Sequence, residues 1–281
     1  SPPLPKGIVK KIKEKTLIIN IQDTILEDLT YYLCLNNCVK DITEGNVLDS
    51  LGIIFGNQES LDSLIITGRV LESYSLKPEN NIWVMLFNKH KSDSALFNNS
   101  PSYITKTNTD GYFFFPNIKS QEYQIVALKN YDLLYKPGEK IAFYHGYIKP
   151  GNDTNINLYT FINQEDSVIP ESGIIKNDTL ETIGAATSNI IINTETENPL
   201  IFQLLQNEKI VYTSLYDSGK HLIEGVMPGE YVLKCVFDKN QDEKWTTGNW
   251  NKRILPEKTI DYSNKITIRD DWDIELDWIL D

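Results

Sequence analysis

The chain has 281 residues, a formal net charge of −12 and 11% aromatic residues. Its length allows two or three domains that each bury a core, and its composition is globular rather than disordered. The acidic charge argues against binding to nucleic acid, which needs a basic surface, and no apolar run reaches the ~18 residues of a membrane-spanning helix.

Residues 1–60 predict three β-strands, because short apolar runs alternate with connectors rich in turn-forming residues. The expected strands are Thr16–Ile21, Leu29–Leu35 and Leu51–Phe55. Three strands are only marginally stable by themselves. We therefore interpret this block as the C-terminal part of a β-sandwich whose first strands would precede Ser1.

The three cysteines do not suggest a disulfide framework. Cys34 and Cys38 would lie about 13 Å apart along an extended strand, which is too far for a disulfide bond. Free cysteines are often buried as small apolar residues. We expect Cys34 and Cys235 to lie in the core.

Residues 61–165 predict a second β-sandwich. The tetrad Asn108–Gly111 is typical of a hairpin loop in which Asp110-Gly111 supplies the positive φ angle. No helical periodicity separates the strands, and Ile162–Asn177 is interpreted as a linker. The expected strands are Leu64–Val70, Ile82–Phe87, Tyr103–Thr107, Tyr112–Phe115 and Tyr123–Leu128.

Residues 166–281 predict a third block that repeats the second, because a turn leads into a strand that begins with tyrosine in both, at Tyr123 and at Tyr231. The chain is therefore predicted to be all-β, with tandem sandwiches over residues 1–60, 61–165 and 166–281. In the third block the expected strands are Ile190–Asn193, Pro199–Leu205, Lys209–Thr213, His221–Gly225, Tyr231–Phe237, Lys265–Arg269 and Asp273–Leu280.

The loop after Tyr231–Phe237 is the candidate metal site. Asp238, Asn240 and Asp242 place oxygen ligands at every second position, and Lys244 would add a backbone carbonyl, which suits Ca²⁺. Glu243 stands where the sharp turn of a calcium loop favours glycine. The alternative is a turn in which side-chain oxygens cap backbone N–H groups, and no other cofactor is suggested.

The sequence carries no catalytic signature. His90, His145 and His221 lack metal-ligand spacing, and the acidic run Asp270–Asp273 is expected by chance in so acidic a chain. We predict that the protein is not an enzyme. Trp250 follows a Thr-Gly-Asn turn and is expected to be exposed, where an aromatic ring would contact a protein or a glycan.

Two segments resemble known bacterial modules. The segment LEDLTYYLCLNNCVKDITEGN (Leu26–Asn46) resembles the closing half of the Ig-like domain first described in S-layer proteins. Residues Ile66–Asn130 resemble a carboxypeptidase-regulatory or collagen-adhesin B-type module, which is a transthyretin-like sandwich. With the DxNxDxxWxTGN loop, this order of modules is similar to Ig-like-domain lipoproteins of Bacteroidota outer membranes.

The resemblance implies a non-catalytic outer-membrane lipoprotein, anchored through an acylated cysteine upstream of Ser1. Such a protein would be a structural or interaction subunit with an outer-membrane protein or lipoprotein as partner. The sequence departs from the family at Thr246, where Asp is common, and at the shortened loop Asn130–Asp132. Two alternatives stay open: a module that binds carbohydrate or a host ligand, and a hydrolase with an unrecognised carboxylate pair.

Overall fold

The computed structural model describes residues 1–4, 6–89, 100–130, 132–151, 155–163, 187–196, 198–216 and 219–280. These residues contain nineteen β-strands and no helix, so the all-β prediction is confirmed. Within this part of the chain, no helix is long and apolar enough to cross a membrane. The chain divides into two compact units, one of Ser1–Glu72 and Lys77–Asn163, the other of Ser73–Leu76 and Gln164–Asp281.

The first unit begins with two antiparallel hairpins. β1 pairs with β2, and β3 pairs with β4. Three of these strands agree with the prediction. β1 was not predicted, because its sequence IVKKIK contains three lysines and no clear apolar alternation. The strands are β1 (Ile8–Lys13), β2 (Thr16–Ile21), β3 (Tyr31–Asn36) and β4 (Ser50–Phe55).

The rest of the first unit is a seven-stranded sheet in the order β7-β6-β9-β10-β11-β5-β8. β5 and β11, the first and last strands of this sheet along the chain, are neighbours and pair in parallel. The sequence predicted five of the seven strands and omitted β10 and β11. The strands are β5 (Leu64–Glu72), β6 (Trp83–Asn88), β7 (Tyr103–Lys106), β8 (Tyr112–Ile118), β9 (Tyr123–Leu128), β10 (Lys140–Phe143) and β11 (Ile156–Ile162).

The hairpin between β7 and β8 forms as predicted. The Asn108 side chain accepts hydrogen bonds from the N–H groups of Asp110 and Tyr112, at 3.0 and 2.9 Å. Gly111 has a φ of +78°, and a Cβ atom there would approach the Val70 carbonyl oxygen to 2.5 Å. The turn therefore requires glycine at this position.

A buried carboxylate ties three segments of the first unit together. Glu79 is 6% exposed, and its carboxylate pairs with Lys140 at 2.6 Å and with Lys129 at 3.2 Å. It also accepts a hydrogen bond from the Thr160 hydroxyl at 3.1 Å. Burial alone would raise the pKa of Glu79, but the two lysines outweigh burial and lower it.

The second unit contains two sheets. One has the order β15-β12-β19, and the other has the order β14-β13-β16-β17, with β18 also pairing with β16. All of these strands except β17 were predicted. The strands are β12 (Ser188–Asn193), β13 (Leu200–Gln206), β14 (Lys209–Leu215), β15 (Lys220–Val226), β16 (Gly229–Phe237), β17 (Thr259–Asp261), β18 (Ile266–Ile268) and β19 (Ile274–Asp277).

The pairing scheme of the second unit repeats that of the first. β12 pairs in parallel with β19 and antiparallel with β15, as β5 does with β11 and β8. β13 lies between β14 and β16, as β6 lies between β7 and β9. β17 pairs with β16, as β10 pairs with β9, but β10 also pairs with β11, whereas β17 lies at the edge of its sheet. The two sandwiches therefore share one topology, in agreement with the repeat seen in the sequence.

The core positions follow the alternation of the strands, with one exception. Tyr231, Leu233, Cys235 and Phe237 on β16 all face the core of the second unit, as predicted. The prediction for Cys34 is wrong, because this residue is exposed. Cys34 lies on the outer side of β3, where its thiol donates a hydrogen bond to the Asn36 side chain at 2.8 Å.

The predicted boundaries differ in part from the compact units. The main part of the second unit begins at Gln164, and residues 1–60 belong to the same unit as the seven-stranded sheet, so the three predicted domains stay a prediction. Thr30 connects residues 1–60 to the rest of this unit, since its hydroxyl donates to the Asp62 carboxylate at 3.0 Å and accepts the Asp62 N–H at 2.7 Å. Most of the predicted linker Ile162–Asn177 lies outside the described residues.

Candidate functional site

The candidate calcium loop begins at the end of β16 with a buried carboxylate. Asp238 is 4% exposed. Its Oδ1 accepts the N–H of Asp242 at 3.1 Å, and its Oδ2 accepts the N–H of Glu243 at 2.9 Å. Both oxygens therefore cap backbone donors of the loop.

The next two predicted ligands act in the same way. Asn240 Oδ1 accepts the N–H of Asp242 at 3.1 Å. Asp242 Oδ1 accepts the N–H of Lys244 at 3.2 Å, and its Oδ2 accepts the hydroxyl of Thr246 at 3.0 Å. These are consecutive Asx turns, which explain the Asp or Asn at every second position without a metal ion.

Glu243 lies at the position where a calcium loop favours glycine, and it adopts a φ of +63°. A residue with a side chain is strained in this region, which supports the assignment of a sharp turn. Within the described residues, no group of three or more His, Cys, Asp or Glu side chains is arranged to hold a metal ion. Calcium binding by Asp238, Asn240, Asp242 and Lys244 therefore stays a prediction.

Glu257 is the residue of this site that sequence reasoning missed. It is 6% exposed, and its Oε1 accepts the N–H groups of Lys239 and Asn240 at 2.8 and 3.4 Å. Its Oε2 accepts the N–H of Thr246 at 2.9 Å, so one carboxylate binds both ends of the loop. Burial raises the pKa of Glu257 despite these hydrogen bonds, and the nearby Asp238 carboxylate adds to the increase.

Trp245 closes the other side of the loop. Its indole N–H donates to the Glu257 carbonyl at 3.1 Å, and its ring meets the Tyr74 ring edge-on at 5.2 Å between centroids. Tyr74 belongs to the short segment Ser73–Leu76, which is part of the second unit. The Lys234 ammonium donates to the Tyr74 carbonyl at 2.8 Å and also pairs with Asp261. These contacts hold Trp245 and the loop against the segment around Tyr74.

The predicted exposure of Trp250 is wrong. Trp250 is 2% exposed, and the guanidinium of Arg253 lies 3.4 Å from the centre of its ring. Asn249 and Ile254 form an isolated antiparallel bridge, with N···O distances of 2.8 and 2.9 Å. This bridge turns the chain back on itself and covers the indole, so exposure no longer supports an interaction role for Trp250.

The remaining candidates lie apart from one another. His90 lies outside the described residues, His145 is exposed, and His221 is buried beside Ser214, with its pKa lowered by burial. Asp273 accepts the backbone N–H of Asn189 at 2.7 Å. Ser214 Oγ lies 3.0 Å from His221 Nε2, but among the described residues no carboxylate bonds to the other ring nitrogen of His221.

Two exposed surfaces stand out instead, and both lie in the first unit. One consists of aliphatic side chains on the two N-terminal hairpins and is called the hairpin surface. The other is the outer face of β11, β5 and β8, which carries aromatic and polar side chains and is called the aromatic face. The hairpin surface comprises Val9, Ile12, Leu17, Val47, Leu48, Leu51, Ile53 and Ile54.

Comparisons with known proteins return only distant similarities. No family model matches the chain, and no curated protein matches it. Fervidolysin of Fervidobacterium pennivorans, a keratinolytic enzyme related to subtilisin, is 12% identical with a TM-score of 0.27 over 64% of this chain and 25% of its own. The chain therefore spans about a quarter of the length of fervidolysin.

For two other solved structures the similarity covers nearly all of their own chains. The minor pilin GBS52 of Streptococcus agalactiae is 14% identical with a TM-score of 0.24, over 77% of this chain and 95% of its own. A DUF3823 family protein of Bacteroides uniformis is 11% identical with a TM-score of 0.24, over 71% and 98%. Scores this low carry no argument about function. What the fold itself defines is an all-β protein with two sandwiches of one topology.

Proposed function

We propose that this protein is a non-catalytic outer-membrane lipoprotein that acts as a structural or interaction subunit of a larger membrane assembly. The observation that supports this function best is the hairpin surface. Aliphatic side chains left in water are unfavourable, and β4 exposes them on both of its faces, Leu51 and Ile53 on one and Ile54 on the other. Exposed apolar side chains grouped on one element often mark a contact with another protein. The partner is an outer-membrane protein or another lipoprotein.

β4 is the centre of this proposed contact. Leu51, Ile53 and Ile54 are 43%, 40% and 46% exposed. β4 pairs with β3 on one side only, and no described strand pairs with its other edge. A free edge with apolar side chains can accept a strand from a partner, so main-chain hydrogen bonds would add to the apolar contact.

The membrane location rests on the family resemblance. That resemblance implies an acylated cysteine upstream of Ser1, which would anchor the chain to the outer membrane. Metabolic labelling of the full-length protein with an alkyne-bearing fatty acid, followed by membrane fractionation, tests this part separately. Labelled protein in the outer-membrane fraction is the expected result, and unlabelled protein in the soluble fraction would contradict it.

Photo-crosslinking in native membranes tests the partner. A photoreactive residue at Ile53 should capture one partner protein in stoichiometric amounts. The control places the same residue at Glu224, an exposed position on β15 of the second unit. Equal capture from both positions, or capture from neither, would contradict a specific contact at β4. The Ile53→Asp variant should remove the crosslink formed from a photoreactive residue at Ile54.

The two alternatives have less support. The glycan-binding alternative loses the candidate Trp250, which is buried, and needs exposed rings grouped elsewhere on one face. The hydrolase alternative needs two carboxylates that face a cleft, whereas Asp238 and Glu257 direct their oxygens to backbone N–H groups. A polar group that is already satisfied in this way is poorly placed for proton transfer.

A further inference from the structure

The aromatic face of the first unit is built from three neighbouring strands. Arg69 on β5 lies between Asn157 on β11 and Tyr112 on β8, each directly opposite in the register. One pair further along β5, Thr67 lies opposite Phe114. Because residues in register on adjacent strands point to the same side of a sheet, these five side chains form one surface.

The two rings on this face are exposed because of strand alternation. Tyr112 and Phe114 are 54% and 47% exposed, whereas Phe113 and Phe115 between and beside them are 3% and 1% exposed. Residues two apart on a strand are about 7 Å from each other on one face. β8 therefore presents two adjacent rings to solvent while its other two rings complete the core.

Polar groups flank the rings at fixed positions. Arg69 Nε donates to the Asp110 carbonyl at 2.9 Å, and its guanidinium carbon lies 5.1 Å from the centre of the Tyr112 ring. Among the described residues, neither the terminal Nη groups of Arg69 nor the amide of Asn157 has a hydrogen-bond partner. The guanidinium is thus held in place but keeps its outward donors for a ligand.

These side chains also share a depression in the surface. It gives the rings and the polar groups one common space, so a single small ligand can contact both. The residues that line it include Thr67, Arg69, Tyr112, Phe114, Asn155 and Asn157.

We propose that the aromatic face binds a saccharide. The apolar faces of sugar rings would stack on Tyr112 and Phe114, and vicinal hydroxyl groups would bond to Arg69 and Asn157. Two exposed rings beside outward polar donors suit a sugar, which presents an apolar ring face and hydroxyl acceptors together. The hairpin surface differs in this respect, since it is aliphatic. The saccharide site is independent of the protein partner proposed above, and either proposal can fail alone.

Native gel electrophoresis of the full chain in gels that contain a soluble polysaccharide tests the proposal. The probes are xylan, mannan and hydroxyethylcellulose as neutral polymers and polygalacturonate as an acidic one. We expect at least one of them to slow the wild-type chain relative to a protein that does not bind sugars. Calorimetric titration with an oligosaccharide of the retarding polymer then gives the affinity.

Three variants locate the site and one serves as the matched control. Tyr112→Ala and Phe114→Ala should each weaken binding about tenfold, since each removes one stacked ring. Arg69→Lys should also weaken binding, because the ammonium cannot offer two parallel donors. Tyr144→Ala removes another exposed ring of the first unit and should leave binding unchanged.

Unchanged thermal unfolding of the variants shows that any loss concerns the ligand rather than the fold. No retardation by any of the four polymers would overturn the proposal. Binding that survives both Tyr112→Ala and Phe114→Ala would overturn it as well. Capture of a protein rather than a polysaccharide through this face would identify it as a protein contact and would equally refute the saccharide site.

Discussion

Replacement of Glu257 by glutamine tests whether one buried carboxylate holds the long loop of the second unit. Glutamine keeps the shape of the side chain but replaces one acceptor oxygen with an NH₂ group. Its remaining oxygen can serve Lys239 and Asn240, which leaves the N–H of Thr246 without a partner. Loss of this bond costs about 2 kcal/mol, and this is the upper limit of the net destabilisation, because glutamine also removes a buried charge that the raised pKa of Glu257 shows to be unfavourable.

Thermal unfolding of the full chain measures this effect. For a unit of this size, 2 kcal/mol lowers Tm by roughly 6 to 12 °C. Circular dichroism follows the sheets, and tryptophan fluorescence reports the loop through Trp245, which contacts Glu257. Glu224→Gln is the control, since an exposed substitution on β15 should change stability by less than about 0.5 kcal/mol. A Tm for Glu257→Gln equal to that of the control would refute the clamp.

The pH dependence gives a second readout with a defined sign. The pKa of Glu257 is raised in the folded protein, so the folded state binds the proton more tightly than the unfolded state. Its contribution to stability must therefore fall as the pH rises from the usual carboxylate value toward the folded pKa. Glu257→Gln should abolish this slope, whereas Glu224→Gln should keep it.

Three further predictions concern other parts of the chain. Glu79→Gln should destabilise the first unit by about 2 kcal/mol, less than for a fully buried pair because Lys129 and Lys140 can reach water. The pKa of Glu79 is lowered in the folded protein, so the stability that Glu79 contributes should be present above the usual carboxylate pKa and lost as the pH falls through the folded pKa. Unfolding measured across an acid pH series tests this. Trp250→Ala should destabilise the second unit by about 4 kcal/mol in urea unfolding, and a change under about 1 kcal/mol would contradict its burial. If the predicted calcium site binds, Ca²⁺ at tenfold its Kd should stabilise the wild type by about 1.4 kcal/mol and should leave the stability of Asp238→Ala unchanged. A wild-type Tm that does not change with Ca²⁺ would contradict the prediction.

The sequence predicted the strands whose own residues carry a two-residue alternation. β19 is an example, because the partly buried Ile274 and Leu276 alternate with the exposed Glu275 and Asp277. β16 begins with such an alternation, although its residues from Leu233 to Phe237 are buried on both faces. β10 and β17 were missed and have only four and three residues, which leaves little room for a pattern, although strands as short as β18 and β19 were predicted. Such short strands are specified by the strands they pair with, and a local pattern cannot show that pairing.

The candidate site was predicted as far as its contacts are local. The alternating oxygens of Asp238, Asn240 and Asp242 cap N–H groups two to five residues later, which spacing alone indicates. Glu257 was missed because it lies 11 to 18 residues beyond the N–H groups that it accepts, at Thr246 and Lys239, so no local spacing indicates the contact. The exposure predicted for Trp250 was wrong for a related reason, since the bridge from Asn249 to Ile254 depends on the tertiary fold.

The first unit contains a smaller version of the loop in the second. After β9, Asn130 Oδ1 accepts the N–H of Leu133 at 2.9 Å, and Glu139 Oε2 accepts the N–H of Lys136 at 2.9 Å. Glu139 also accepts from the Asn130 amide at 2.7 Å and directly precedes β10. Glu257 stands just before β17, the equivalent strand of the second unit.

An Asx turn after one strand and a glutamate before the next, antiparallel strand thus recur at the equivalent connection in both sandwiches. In the first unit this arrangement closes a short loop with ordinary hydrogen bonds and a single surface ion pair, between Asp132 and Lys136. The longer loop of the second unit repeats the same arrangement with more Asx turns and a more deeply buried glutamate. Its metal-like spacing is therefore explained by elaboration of a shared capping arrangement, so the Asx-turn interpretation needs fewer assumptions than a calcium site.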